Sequence, residues 1–172
     1  MVGSGNEEVR VSEQSVAAAT PDDLVAALAR ATVARAAPEE LPLFAPMSEA
    51  YLADPKALET GKGRDEMLGF GVDAAVVLVT PVALQVARDV LGFLHEQLRE
   101  RAREHGEGAI DRLIARLVGK KDDPAAETVP ELTDAQLEQV RALAFEKARA
   151  LKLSDSRAGL LADSLVGSLA TA

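Results

Sequence analysis

The stretch VDAAVVLVTPVALQVARDVLGFLHEQLRERAREH, residues 72–105, says more about the architecture of this chain than any other. Its second part begins at Thr80-Pro81, where threonine suits a helix N-cap and proline the first turn, so a helix is predicted from 81 to about 105. Val82, Leu84, Ala87, Val90, Leu91, Leu94 and Leu98 fall on one side of that helix. Gln85, Arg88, Asp89, Gly92, Glu96, Arg99 and Arg103 form a polar stripe, expected to be the wet face of a packed amphipathic helix.

The first part is less decided. Ala74–Val79, AAVVLV, is short and β-branched, which suits a buried strand. It equally suits a helix that continues through Pro81 with a kink. A lone strand is not viable and no second clear strand exists to pair with it, which favours helix. A continuous helix over 72–105 would be about 50 Å long. A compact domain of this chain length is only about 40 Å across, so such a rod would protrude and its apolar face would need a second chain.

Outward from this centre, the signals are helical on both sides. Thr20-Pro21-Asp22-Asp23 is a capped, acid-flanked helix start, and Leu24, Val25, Leu28 and Val33 give the following helix an apolar face to about residue 36. Residues 38–63 hold Pro38, Pro42, Pro46 and Pro55 together with Leu41, Leu43, Phe44, Met47, Tyr51 and Leu52. This Pro-rich arm is expected to lie extended on the helices, with a short helix near 47–53. A docking peptide for another protein is the alternative. Downstream, residues 109–121 place Ile110, Leu113, Ile114, Leu117 and Val118 on one stripe, with Arg112, Arg116, Lys120 and Lys121 elsewhere. A polar segment with two prolines follows, and residues 122–132 are read as a linker. Thr133 with Gln136 makes a capping box, and residues 133–172 are predicted to form a helical hairpin. Its stripes are Leu137, Val140, Ala144, Ala148 and Leu151, then Leu161, Leu165 and Leu169, about a turn at Leu153–Ser156 capped by Ser154 or Asp155. The expected fold is all-α, a bundle of five or six helices, with a weakly patterned N-terminal segment 1–20, a helical core over 21–121 and the C-terminal hairpin.

Composition narrows function by subtraction. Across 172 residues, 48% are apolar and only 3% aromatic, with no Trp and one Tyr, a poor basis for stacking bases or sugars. The absence of Cys removes disulfides, thiolate metal sites and thiol nucleophiles from consideration. His95 and His105 are the two imidazoles and stand ten apart, unlike a helical ligand pair. A net charge of −9 argues against a general polyanion binder. No G-x-S-x-G or GxxxxGK[ST] motif is present. No catalytic, cofactor or metal residues are therefore expected. No secretory signal or run of 18 apolar residues is visible, and a cytoplasmic location is expected.

The charge is uneven. Residues 1–60 carry four basic and ten acidic side chains, 61–121 ten and nine, and 122–172 five and nine. The most apolar third is also the least acidic, as a contact region between solubilising arms would be. The leading expectation is a non-enzymatic protein working through self-association or another protein partner. Val82, Leu84, Val90, Leu91, Leu94 and Leu98 are expected to be core or interface, with Leu113, Ile114, Leu117 and Val118 as a second surface. The alternative is membrane association through the apolar segment 72–94 and the basic helix 109–121, with Arg112, Arg116, Lys120 and Lys121 meeting lipid headgroups or a partner. Against it, Asp73, Arg88 and Asp89 would each cost about 2.5–3.5 kcal/mol at the bilayer centre.

Overall fold

The computed structural model describes residues 20–56, 78–105 and 132–170. Within them the chain is all-α. The helices are α1 (Pro21–Ala36), α2 (Leu41–Ala53), α3 (Val79–His105), α4 (Asp134–Ala150) and α5 (Asp155–Ala170), with a 3-10 turn at Pro38–Glu40 between α1 and α2. Helix α1 packs on both α3 and α5, α4 packs on α5 and α3, and α2 lies across α1 and α3. One core joins all five, centred on Leu28 and Val33 of α1, Leu84, Val90 and Leu94 of α3, Val140 of α4, and Leu161 and Leu165 of α5. The C-terminal hairpin thus shares its interior with the rest of the described protein.

Local chemistry sets the helix ends. At α1 the Thr20 hydroxyl accepts from the Asp23 amide, and the Asp23 carboxylate accepts from the Thr20 amide at 2.8 Å. These bonds, from the Thr20 backbone first and its hydroxyl second, hold the Asp23 carboxyl below its ordinary value. A lowered carboxyl favours the folded state above its ordinary pKa, and that contribution fades as pH falls through the lowered value. The start of α4 repeats the device with Thr133 and Gln136. Small residues at Ala144 and Ala148, both fully buried, let α4 approach its neighbours closely.

The turn between α4 and α5 lies at residues 151–154, slightly before its expected place, because α4 ends in a Schellman motif. The Leu153 amide donates to the Ala148 carbonyl and the Lys152 amide to the Arg149 carbonyl, while Lys152 takes a left-handed φ of 74°. Leu153 is driven into the core and Arg149 clamps the turn, donating to the Leu153 carbonyl at 2.8 Å and pairing with Asp155. Ser154 then caps α5, accepting from the Arg157 amide. Since a side chain at positive φ is strained and glycine is not, Lys152→Gly is expected to raise stability by about 0.5–1 kcal/mol in urea unfolding. Gly167 has a different purpose: Arg35 of α1 lies against it, and a Cβ there would stand 2.6 Å from the Arg35 guanidinium.

The Pro-rich arm is a correction. Residues 38–53 are not extended; they form the 3-10 turn and then a helix of 13 residues. The prolines explain why this is tolerated. Pro38 and Pro42 occupy first-turn positions, where an amide would lack an intrahelical partner anyway. Pro46 lies inside the helix, and the spacing of four keeps all three prolines off the buried face, which is Phe44, Met47, Ser48 and Tyr51. Pro55 follows just past the helix end.

Helix α3 starts at Val79, two residues earlier than expected, and includes Pro81 in its first turn. Of the expectation for Ala74–Val79, only Leu78 and Val79 fall on described residues; Val79 is helical, and Leu78 precedes the helix. The amphipathic reading of this helix also changes. From Leu78 to Leu84 every residue is buried, and the helix packs on α1, α2 and α4.

Candidate functional site

The residues expected in the core or at an interface divide into three groups. Val82, Leu84, Val90, Leu91 and Leu94 are buried in the chain's own core. Leu98 lies on the last third of α3. Leu113, Ile114, Leu117 and Val118, together with Arg112, Arg116, Lys120 and Lys121, lie outside the described residues, as do 72–77 and the linker up to Glu131. Among the described residues no helix is long and apolar enough to cross a membrane.

The most distinctive polar feature is at the start of α3. Glu40, only 6% exposed, directs its carboxylate at the helix N-terminus. Oε1 accepts from the Val79 amide at 2.9 Å and Oε2 from the Thr80 amide at 2.7 Å. The next residue is Pro81, which has no amide to satisfy. One side chain and one proline therefore account for the first three positions of a helix that would otherwise bury orphan donors. The negative charge also sits where the helix dipole is positive. On the other side, Arg157 of α5 stands 3.6 Å from Oε1, so the carboxylate links the turn after α1, the start of α3 and α5.

Thr80 was expected to cap this helix, and it does not. Its amide is bound by Glu40, while its own Oγ1 is buried without a hydrogen-bond partner. A carboxylate accepts two amides at once where a hydroxyl would accept one, so the distant acid takes the capping position. An unpartnered buried hydroxyl is destabilising. Thr80→Val, which keeps the shape and removes the hydroxyl, is expected to stabilise the protein by about 1 kcal/mol, read as a higher urea midpoint.

A second polar group runs along α3. The expected wet stripe begins with Gln85, Arg88 and Asp89, and all three are half-buried and engaged. Tyr51 of α2 donates its hydroxyl to Gln85 at 2.8 Å. Arg88 lies over the Tyr51 ring, 5.4 Å from its centroid, and pairs with Asp22 of α1 at 3.2 Å. Asp89 pairs with Lys147 of α4 at 3.2 Å. The stripe is a seam fastening three neighbouring helices to α3, not an open surface. These partly exposed pairs are individually weak, so the seam sets helix registers more than it adds stability.

The far end of α3 is different. The helix has 27 residues and is about 40 Å long, whereas α1, α4 and α5 have 16, 17 and 16 residues and reach about 25 Å. Leu94 is its last buried side chain before His95, Glu96 and Gln97, which are exposed. The helix continues for eleven residues, about 16 Å, past Leu94. Among the described residues no group of three or more His, Cys, Asp or Glu is placed to hold a metal ion.

Compared with protein families, curated proteins and solved structures, the chain matches none of them.

Proposed function

We propose that this protein is a non-enzymatic cytoplasmic subunit or adaptor that acts by association, with a second copy or with another chain, through the end of α3. The length of α3 is the observation that supports this reading. Residues 78–84 at its start are all buried, and eleven residues, His95–His105, follow Leu94, beginning with the exposed His95, Glu96 and Gln97. Since Val82, Leu84, Val90, Leu91 and Leu94 are used inside the chain, a partner has no access to them in the folded state. The proposed contact therefore narrows to the segment carrying Leu98. Covering one leucine recovers roughly 1.5–3 kcal/mol, so a contact built from a few such residues is reversible and concentration-dependent.

Sedimentation over a wide concentration range tests this. The expected result is a mass that rises above the 18.1 kDa of one chain as concentration increases. Leu98→Arg is expected to return it to the single-chain mass with unchanged helicity. An assembly indifferent to Leu98→Arg would place the contact elsewhere. A single-chain mass at every concentration, with no partner recovered from native lysate, would remove the reading altogether.

A further inference from the structure

We draw no further inference here: the strongest candidate, the N-terminus of α3 with the buried and unpartnered Thr80 hydroxyl beside it, carries nothing because the chain's own Glu40 carboxylate already fills the position an anionic ligand would take.

Discussion

Glu40→Ala is expected to lower stability by about 2–4 kcal/mol, the largest loss from any single polar substitution in this protein. The estimate follows from what is left behind. The Val79 and Thr80 amides are buried and have the Glu40 carboxylate as their acceptor, and an unsatisfied buried donor costs about 1–3 kcal/mol. The start of α3 would also lose the negative charge that complements its dipole. Glu39→Ala is the natural control, since Glu39 is the same residue type one position away and is exposed; it is expected to change stability by less than about 0.5 kcal/mol. Glu40→Gln should fall between them, because the amide oxygen still accepts one bond while its NH₂ meets a second donor. Urea unfolding followed by circular dichroism gives the three values. Amide hydrogen exchange adds a local readout: Val79 and Thr80 should exchange faster in Glu40→Ala than in the parent, ahead of any change at the start of α4. Equal urea midpoints for Glu40→Ala and Glu39→Ala would show that the cap carries no stability.

Glu40 also shows where sequence reading stops. Two adjacent acids such as Glu39-Glu40 suit a local helix start, where the dipole is positive. Yet Glu40 serves another helix: it turns inward to cap α3, whose first residues lie 39 and 40 positions further along. Thr20 with Asp23 and Thr133 with Gln136 were legible because each cap and its target lie within three residues. A cap delivered from a distant turn leaves no local pattern. Thr80-Pro81 had the right residues for a start, yet tertiary contact gave the capping position to a stronger acceptor.

The Pro-rich arm was misjudged for a related reason. Each proline, taken alone, argues against helix, but prolines at 38, 42 and 46 recur every four residues and so share one side of a helical arm whose other side is apolar. The periodicity outweighs the individual propensities once Phe44, Met47 and Tyr51 have α1 and α3 to pack on. The apolar stripes of α1, α4 and α5 were legible because burial follows the 3.6-residue period closely there. The polar stripe of α3 showed the right residues without their fate, since Gln85, Arg88 and Asp89 meet partners on three other helices. Lys152 gave no sign of a helix stop because its left-handed position is normally taken by glycine.

Leu84→Ala and Leu161→Ala are each expected to destabilise the protein by about 3–5 kcal/mol, and to do so in one and the same unfolding transition. The size follows from burial: both side chains are fully enclosed, and removing a leucine from a packed interior loses transfer energy and leaves a cavity. Leu160, next in sequence to Leu161 but 49% exposed, is the matched control, and Leu160→Ala should change stability by less than about 0.5 kcal/mol. The shared transition follows from topology. Leu84 belongs to α3 and Leu161 to the C-terminal hairpin, on opposite sides of the polar segment 122–132 that reads as a boundary in sequence. Helix α1 packs on both α3 and α5, and α4 closes against α3, so the interior is continuous across that boundary. A hairpin with its own core would melt alone, whereas one that completes the core of α1 and α3 cannot leave without exposing Leu28 and Val33. Two separate transitions, one sensitive only to Leu161→Ala and the other only to Leu84→Ala, would overturn the shared core.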